Sequence, residues 1–320
     1  MSFDHIEFMK LSSDLQNLNS NLEARLGEVM ERLQRLDVLE RRLEEAIAYF
    51  ALRSNRLVNS QSTYLGDHVA VTFLENGLRI LADTRSMDVG MHLLTLGLWE
   101  PNYMRLFDGL LKPGNTVLDI GANHGVYALH AALGVGPAGR VHAFEPNPKL
   151  ARLVDLSLKI NGFGSYATLH SCGVSDGARK ALLDFSDAFS GGGVIAQTAN
   201  VAGHQQTECD LVSLDEVFPS PDFKVDLIKM DVEGHEGFAL RGMRNLLERS
   251  PDVKIMMEFG PEMMARAGFP AADAIMLLSG LGFSMWNIDE KGGLEGVSPE
   301  DLIRVSSGIR NILICRRFPL

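Results

Sequence analysis

Cysteine is scarce in this sequence of 320 residues. The three that occur are far apart and odd in number, and they are Cys172, Cys209 and Cys315. They provide neither a disulfide framework nor a Cys-x-x-Cys metal pair, so we expect a reducing compartment, the cytoplasm. The sequence also lacks any run of about 18 apolar residues, and its first ten residues lack the apolar core of a secretory signal. Neither a transmembrane segment nor a secretory leader is therefore expected.

Positive charge is in deficit. The chain has 30 Lys and Arg against 41 Asp and Glu, which gives a formal net charge of -11. Binding to a nucleic-acid backbone needs a basic face, so we expect no nucleic-acid partner. With 46% hydrophobic and 22% charged residues, the composition is that of a globular protein with one large domain, alone or with an appendage.

Proline is absent from residues 11–57, and Gly27 is the one glycine there. Apolar residues recur every seven positions, at Leu15, Leu22, Val29, Leu36, Leu43 and Phe50. A second row contains Leu11, Leu18, Leu39 and Ala46 but is interrupted at Arg25 and Arg32, each followed by a leucine, Leu26 and Leu33. This pattern predicts a helix of roughly 70 Å in a coiled coil. We therefore predict that residues 1–58 form an oligomerisation segment and that the protein is a homo-oligomer of undecided order. A helix packed on its own domain is the alternative, and a membrane-surface helix is disfavoured because acids and bases are mixed around it.

Two further segments follow. Residues 59–112 are predicted as a lead-in with a β-hairpin around Asn76-Gly77 and helices that break at Pro101. In residues 113–320, continuous apolar strands alternate with helices, which predicts an α/β fold with a mostly parallel sheet covered on both faces. Ligands of such sheets bind at the carboxyl ends of the strands. The glycine-rich stretch 190–206 is either a disordered insertion or a lid over the substrate.

The stretch "VLDIGANHG" (Val117 to Gly125) predicts a strand, a tight turn and the start of a helix. Gly121 and Gly125 allow a ligand to approach the backbone closely. The dinucleotide pattern G-x-G-x-x-G fails, because Asn123 and Val126 occupy its second and third glycine positions. A pyrophosphate cradle, and with it a nicotinamide dehydrogenase, is thus disfavoured.

The next predicted strand ends in "FEP", which places Glu145 where an acid can accept hydrogen bonds from ribose hydroxyls. An acid on a ribose without a phosphate cradle indicates a nucleoside ligand, and S-adenosyl-L-methionine fits. Asp119 would then face the cationic methionine end of that cofactor. An unrelated α/β domain with a tight glycine turn is the alternative.

The motifs "D-x-G-A-N-x-G", "FEPNP" and "LIKMDVEGHE", with "LGLWEP" and "LVSLDEVF", together resemble the FkbM family of class I S-adenosylmethionine-dependent methyltransferases over roughly residues 80 to 260. The resemblance implies a Rossmann-like sheet of seven strands with the last strand antiparallel. It also implies methyl transfer to a hydroxyl, often on a sugar of a polysaccharide, lipopolysaccharide, glycolipid or antibiotic. The N-terminal coiled coil lies outside the family pattern.

The resemblance further implies roles for individual residues. Those expected at the cofactor are the loop residues Asp119, Gly121, Asn123 and Gly125, the ribose acid Glu145, Glu100 at the amino-acid end, and Cys172 and Gly173 beside the adenine.

The stretch "KMDVEGHE" follows an apolar strand and contains three acids. Asp231, at the strand end, is expected near the transferable methyl and among the cofactor-binding residues. It is also the candidate base that accepts the proton of the acceptor hydroxyl. Lys229 lies one pleat inward on the same face, where it could orient an acid or a sugar oxygen. Glu233 and His235 are the other catalytic candidates. Glu236 is interpreted as a helix-start carboxylate.

A metal site is the less favoured hypothesis. Glu258, at the next strand end, could join Asp231 in holding a divalent cation. The Asp-Asn pair of metal-dependent catechol-type methyltransferases is missing after the fifth strand, so metal-free base catalysis is expected. His124 and His204 are interpreted as packed or solvated side chains. A scaffold that binds the cofactor without turnover, and a metal-assisted methyltransferase of a non-carbohydrate hydroxyl, remain as alternatives.

Overall fold

The computed structural model describes residues 3–59, 62–196, 203–305 and 307–317. The chain divides into two compact units, Met1–Val58 and Asn59–Leu320. Within the described ranges, no helix is both long and apolar enough to cross a membrane.

The first unit is one helix, α1 (Phe3–Asn59), of 57 residues. At 1.5 Å per residue it is about 85 Å long. The long helix predicted from the absence of proline and the heptad pattern is therefore present. The apolar residues between Leu18 and Phe50 are exposed, for example Leu36 at 59% and Leu43 at 61%. The side chains of Leu11 and Leu15 lie outside the described residues. Whether α1 pairs as a coiled coil stays a prediction.

The second unit contains the remaining elements. Its helices α2 to α11 are, in chain order, Val89–Leu96, Pro101–Leu110, Val126–Val135, Pro148–Ile160, Leu214–Val217, Glu236–Arg241, Arg244–Arg249, Pro261–Arg266, Ala271–Gly280 and Pro299–Arg304. Strands β1 to β15 are Thr63–Gly66, Val69–Phe73, Arg79–Asp83, Thr116–Ile120, Arg140–Phe144, Ala167–His170, Gly173–Val174, Arg179–Phe185, Val194–Ile195, Gln205–Val212, Leu227–Met230, Lys254–Phe259, Ser284–Ile288, Leu294–Val297 and Arg310–Cys315. A short 3-10 helix covers Ser190–Gly192.

The predicted hairpin is formed by β2 and β3, which pair antiparallel. Asn76 and Gly77 lie in its turn, where the Asn76 side chain accepts a hydrogen bond from the Leu78 amide and Gly77 has a φ of 82°. A third strand, β1, extends this small sheet. The predicted helical break at Pro101 is also present, because α2 ends at Leu96 and α3 begins at Pro101.

The main sheet has the order β14-β13-β15-β12-β11-β4-β5-β6. Strands β6, β5, β4, β11 and β12 run parallel, and the last strand, β15, is antiparallel to β12, as the family resemblance implied. The sheet has eight strands and not the implied seven. The additional strand is β14, because the turn at Asp289 reverses the chain, with the Asp289 carboxylate accepting the amides of Lys291 and Gly293. Strand β14 then pairs along the edge of β13.

Two apolar clusters cover the two faces of this sheet. Val117 and Leu227 belong to one cluster, with residues of α4 and α5, and their neighbours Leu118 and Ile228 belong to the other, with residues of α7, α8 and α10. Successive residues of a strand point to opposite faces, so the clusters alternate along each strand. This explains the continuous apolar strands of the sequence.

A second sheet has the order β7-β10-β8-β9. Leu183 on β8 and Cys209 and Leu211 on β10 form a small apolar cluster.

Candidate active site

The candidate site lies where β5, β4 and β11 end. The three strands are parallel neighbours, so their carboxyl ends meet at one edge of the sheet. Asp119 and Lys229 are paired in register on adjacent strands. The amide of Asp231 donates to the carbonyl of Ile120 at 3.0 Å. The two motifs that are far apart in the sequence, around Asp119 and around Asp231, therefore lie side by side.

Gly121 makes this close approach between the two loops feasible. A Cβ atom at Gly121 would lie 1.8 Å from the backbone oxygen of Asp231, and the φ of Gly121 is 84°. Only glycine has this conformation without strain and leaves that space open. Gly125, with a φ of 86°, precedes α4 and packs against Val154.

Glu145 is held by two backbone amides. Its Oε2 accepts from the Asn123 amide at 2.7 Å, and its Oε1 accepts from the Asn147 amide at 2.8 Å. Burial raises the pKa of Glu145 to about 7. Each carboxylate oxygen can accept more than one hydrogen bond, so the held side chain can still receive two donors from a ligand.

Asn123 and His124 form a fixed pair in the turn after β4. The His124 ring is fully buried, its Nε2 receives the Asp83 amide at 3.2 Å, and its Nδ1 lies 2.5 Å from the Asn123 Oδ1. Because the Asp83 amide can only donate, Nε2 accepts and Nδ1 carries the proton. Burial lowers the pKa of His124 to about 4, which keeps the ring neutral. His124 is thus a packed residue that orients Asn123, in agreement with its interpretation from the sequence.

Asp119 carries an unsatisfied acceptor. The side chain is 1% exposed, and its Oδ2 has no hydrogen-bond partner among the described residues. Burial raises the pKa of Asp119 to about 7. Buried polar atoms nearly always have a partner, so an orphaned carboxylate oxygen here fits a ligand that brings a donor or a cation.

A pocket opens between the strand ends and the second sheet. Its empty space is about 660 Å³, including the part open to solvent. The polar residues that line it include Asn123, Glu145, Asn147, Ser190, Asp231, Glu233 and His235. The apolar residues that line it are Phe144, Pro146, Leu150, Val174, Leu183, Phe185, Ile195, Leu211 and Val232. This combination of apolar side chains and hydrogen-bond acceptors suits a nucleoside.

Not every residue expected at the cofactor lines this pocket. Gly121, Asn123, Glu145 and Gly173 do, whereas Asp119, Cys172, Gly125 and Glu100 are not among the lining residues. Cys172 is half-buried and packs against one of the main clusters. Its neighbour Gly173 lies close to β10 of the second sheet, since a Cβ at Gly173 would lie 2.7 Å from a Leu211 methyl carbon.

Lys229 is a buried cation behind Asp231. It is 3% exposed, and its Nζ donates to the Asp231 Oδ2 at 3.2 Å. The same Nζ lies 4.9 Å from the centre of the Tyr127 ring, and the Tyr127 hydroxyl donates to the Glu100 Oε2 at 2.7 Å. Burial by itself lowers the pKa of Lys229, but the charges of Asp231, Glu100 and Asp119 outweigh burial and raise it. Lys229 is therefore protonated. Its ammonium is held by the hydrogen bond to Asp231, and the negative charge of Glu100 favours the protonated form.

Asp231 belongs to a cluster of three acids with Glu233 and Glu258. One carboxylate oxygen of each lies within 4.8 Å of the others. Burial, followed by repulsion from Asp231, raises the pKa of Glu233 and of Glu258 to about 8. Carboxylate oxygens are ligands that hard divalent cations accept. The two expected metal ligands, Asp231 and Glu258, are thus close together, and the structure adds Glu233 to them.

Glu236 and His235 follow this cluster at the start of α7. The Glu236 Oε1 accepts the amides of Val232 and Gly234, both at 3.2 Å, so this carboxylate shapes the loop that carries Glu233. The His235 Nε2 lies 2.9 Å from the Ser175 hydroxyl, and burial lowers the pKa of His235 to about 4. His235 is neutral and lines the pocket.

His204 is located elsewhere, directly before β10 of the second sheet, where its Nδ1 contacts the Asp184 carboxylate. It is not among the residues that line the pocket.

The comparison with protein families decides the class of this protein. Residues 119–285, more than half of the chain, match the family model described as Methyltransferase FkbM domain. The chain belongs to the FkbM methyltransferase family. The resemblance noted from "DIGANHG", "FEPNP" and "LIKMDVEGHE" is therefore confirmed, and with it the enzyme class, a methyltransferase.

Several solved structures are similar to this FkbM family member at low identity. A Methyltransferase FkbM from Methylobacillus flagellatus KT is 18% identical, with 69% of this chain and 51% of that chain covered and a TM-score of 0.39. This chain thus spans about half the length of that protein. TomG, an O-methyltransferase from Streptomyces achromogenes involved in tomaymycin synthesis and solved with S-adenosylmethionine, is 12% identical, with coverages of 69% and 82% and a TM-score of 0.39. An O-methyltransferase from Bacillus cereus solved with S-adenosylhomocysteine is 13% identical, with coverages of 67% and 78% and a TM-score of 0.38. No curated protein matches the chain.

Sequence reasoning missed several residues of the site. Leu183, Phe185 and Leu211 supply the apolar wall from the second sheet, and Tyr127 supports Lys229 from α4. The alternation within "ALLDF" and its position before the glycine-rich stretch were the available signal for the wall. Tyr127 had none, since it stands in a helix whose residues are nearly all apolar.

Proposed function

We propose that this protein is an S-adenosyl-L-methionine-dependent O-methyltransferase that acts on a hydroxyl of a sugar in a glycan, polysaccharide, lipopolysaccharide or glycosylated natural product. The observation that carries the proposal is the presence of two buried carboxyls, Glu145 and Asp119, each of which can accept a hydrogen bond from a ligand. Glu145 is held by two amides and keeps acceptor capacity, and Asp119 has a buried oxygen without a partner among the described residues.

The hydrogen-bond acceptors of the site match the donor groups of this cofactor. The ammonium of its methionine part supplies the donor and the positive charge that the orphaned Asp119 oxygen requires. Its ribose hydroxyls are the two donors that Glu145 can receive. Leu183, Phe185 and Leu211 form an apolar wall suited to the adenine. When bound, S-adenosylmethionine supplies a methyl group carried on a sulfonium sulfur.

Asp231 is the proposed base. Its side chain lines the pocket and is 30% exposed, so an acceptor hydroxyl can reach it. Lys229, which lies over the Tyr127 ring, donates to the Asp231 Oδ2 and holds it in one position. A carboxylate held in this way can align the acceptor oxygen and accept its proton as the methyl transfers. Glu233, with a pKa of about 8, is largely protonated at neutral pH and can donate a hydrogen bond to the acceptor.

A sugar acceptor is supported by the family resemblance and by the acid cluster. A sugar presents several neighbouring hydroxyl donors, and the cluster of Asp231, Glu233 and Glu258 presents several acceptors. The second candidate is metal-assisted transfer, favoured by the 4.8 Å grouping of the same three carboxylates. The fixed ammonium of Lys229 already stands beside Asp231, so we place base catalysis without a metal first.

We also propose that residues 1–58 make the protein a homo-oligomer. The exposed apolar residues of α1 would otherwise remain in water, and a second copy of the helix offers a matching stripe.

A direct test combines binding with product analysis. The wild-type protein should bind S-adenosylhomocysteine in a calorimetric titration and transfer a methyl group to a glycan acceptor, detected as a mass increase. Asp231→Asn should keep the binding constant within about twofold and lose turnover by about 100-fold or more, because general base catalysis contributes that much. The matched control is Asp226→Asn, a carboxylate at the other end of β11 that accepts the Thr116 amide.

The outcomes separate the candidates. Cofactor binding without any methyl transfer to glycan acceptors favours the scaffold alternative. Loss of turnover with a chelating agent, and its recovery with a divalent cation, favours the metal. Full turnover in Asp231→Asn removes Asp231 from the base role.

A further inference from the structure

The wall segment, Ser190–Gly193, closes one side of the candidate cofactor pocket. Ser190, Gly191 and Gly193 all line the pocket. The segment lies between β8, which ends at Phe185, and β9, which begins at Val194, and it contains only a short 3-10 helix. The wall segment is therefore not held by pairing within a sheet. Its position depends on hydrogen bonds between its backbone and other parts of the chain.

Asp88, at the start of α2, makes most of those contacts. Its Oδ1 accepts from the Ser190 amide at 3.1 Å and from the Ser190 hydroxyl at 3.2 Å, and its Oδ2 accepts from the Gly191 amide at 2.9 Å. The Ser86 hydroxyl donates to the same Oδ1 at 2.6 Å and orients the carboxylate. Burial by itself raises the pKa of Asp88, but these hydrogen bonds outweigh burial and lower it, so the side chain is ionised. A carboxylate bound to amides is a stronger acceptor than a neutral group.

The other side of the wall segment contacts the cofactor loop. The Asn123 side-chain amide donates to the Ser190 carbonyl at 3.0 Å, and the Ser190 hydroxyl lies 3.3 Å from the Asn123 Oδ1. The backbone amide of the same Asn123 holds Glu145. A continuous chain of hydrogen bonds therefore runs from Asp88 through Ser190 and Asn123 to Glu145.

Two further contacts tie the same pieces of chain together. The Met87 amide donates to the Ala188 carbonyl at 2.8 Å, and Arg85 pairs with Asp187 at 2.6 Å. The lead-in is thus attached to the chain just before the wall segment. Asp88 reaches two residues that line the pocket, Ser190 and Gly191, and the Ser86 hydroxyl lies 3.0 Å from the Ser190 hydroxyl.

We propose that Asp88 is a cofactor-positioning residue, which acts through Ser190 and Gly191 and sets the affinity for the cofactor. The inference rests on the proposed function, since the ligand is taken as S-adenosylmethionine. Asp88 lies before the region 119–285 that matches the family model, and it is not among the residues that line the pocket. Without the carboxylate, the Ser190 and Gly191 amides lose their acceptor, the wall segment loses its fixed position, and the Ser190 contact with Asn123 weakens. The reacting groups around Asp231 keep their own contacts.

The test is a comparison of binding with turnover. Asp88→Asn replaces Oδ2 by an amide that cannot accept from Gly191. We expect the dissociation constant for S-adenosylhomocysteine and the KM for S-adenosylmethionine to rise about tenfold or more, as for a lost hydrogen bond to a charged group, while kcat at saturating cofactor changes less than about threefold. The matched control is Asp289→Asn, because Asp289 also accepts two loop amides but in the turn between β13 and β14. Asp289→Asn should leave both constants unchanged.

A second variant keeps the test valid if Asp88→Asn does not fold. Ser190→Ala removes the hydroxyl that contacts Asp88 and Asn123 and leaves the backbone amide, so we expect a smaller rise of KM, about threefold. Cofactor affinity unchanged in Asp88→Asn, or lost equally in Asp289→Asn, would overturn the inference alone. A wild-type protein that does not bind S-adenosylhomocysteine would overturn the proposed function together with the inference.

Discussion

Cofactor affinity should rise steeply between about pH 6 and pH 7, because two buried carboxyls must ionise to bind this ligand. Burial raises the pKa of Asp119 and of Glu145 to about 7, so both are mostly protonated in the free protein at pH 6. An ammonium and two hydroxyls are donors, and they bind ionised carboxylates more strongly than protonated ones. Binding therefore releases protons, and linkage requires that the affinity increase with pH.

The size of the effect follows from the fraction ionised. A group with a pKa of 7 is ionised to about 9% at pH 6 and about 50% at pH 7, which is about a fivefold change in affinity. Two independent groups would give about a 30-fold change. The charge of Asp119 raises the pKa of Glu145, so the two ionisations oppose each other in the free protein. The ammonium reduces that repulsion in the complex, and we expect a change between about 5-fold and 30-fold.

Calorimetric titration with S-adenosylhomocysteine at constant ionic strength measures this directly, since no turnover occurs. Asp119→Asn should bind more weakly and show a shallower pH dependence, and Glu145→Gln should do the same. Asp155→Asn, at a partly exposed residue of α5 that pairs with Lys159, should keep the wild-type slope. Equal affinities at pH 6 and pH 7, or a wild-type slope in Asp119→Asn, would refute the reasoning.

The same pKa values act on folding in the opposite sense. The folded-state pKa of each acid is raised above its ordinary value, so its contribution to stability is complete below about pH 4 and is lost as the pH rises through about 7. The ligand-free protein should therefore lose stability between pH 6 and pH 7. Because cofactor affinity rises over the same range, the cofactor should raise the melting temperature more at pH 7 than at pH 6.

Two further predictions concern the turn after β4 and the helix α1. Gly121→Ala should abolish cofactor binding and lower the melting temperature. Its Cβ would lie 1.8 Å from a backbone oxygen, whereas ordinary contact begins near 3.4 Å. Gly109→Ala, whose Cβ would meet nothing within 4 Å in α3, is the control and should raise the free energy of unfolding by up to about 1 kcal/mol. Replacing both Leu36 and Leu43 by Glu should reduce the solution mass, measured by light scattering, to that of one chain, because charges would replace exposed apolar positions of the predicted seam. Arg41→Glu, on the opposite side of the heptad, should leave that mass unchanged. A wild-type protein with the mass of one chain would contradict the proposed oligomer.

The motif residues of the site could be predicted from the sequence because each motif is local. The turn after β4 brings Gly121 and Asn123 to the end of one strand, and Glu145 and Asp231 stand at the ends of the next strand and of a later one. Parallel strands place those ends at one edge, so the rule of strand ends was enough to group them. Glu236 could also be interpreted correctly, because a carboxylate at a helix start bonds nearby amides within the same short stretch.

The role of each candidate within the group could not be derived in this way. Cys172 and Gly173 are adjacent in the sequence, yet one packs against a core cluster and the other lines the pocket, because successive residues of an extended chain face opposite sides. The eighth strand likewise depended on whether the chain after β13 would find a free sheet edge, which the pattern of "LEGV" does not reveal.

The sequence by itself therefore determined the α/β class, the long helix α1, the family and the residues at the strand ends, since each depends on hydrophobic period or on a short contiguous motif. Only the tertiary structure decided that the second sheet supplies the apolar wall, that Lys229 lies over the Tyr127 ring, and that Asp88 holds the chain about 100 residues later at Ser190. Those contacts join segments far apart in the chain. Their geometry depends on how the two sheets and the lead-in pack together, which no local pattern of residues contains.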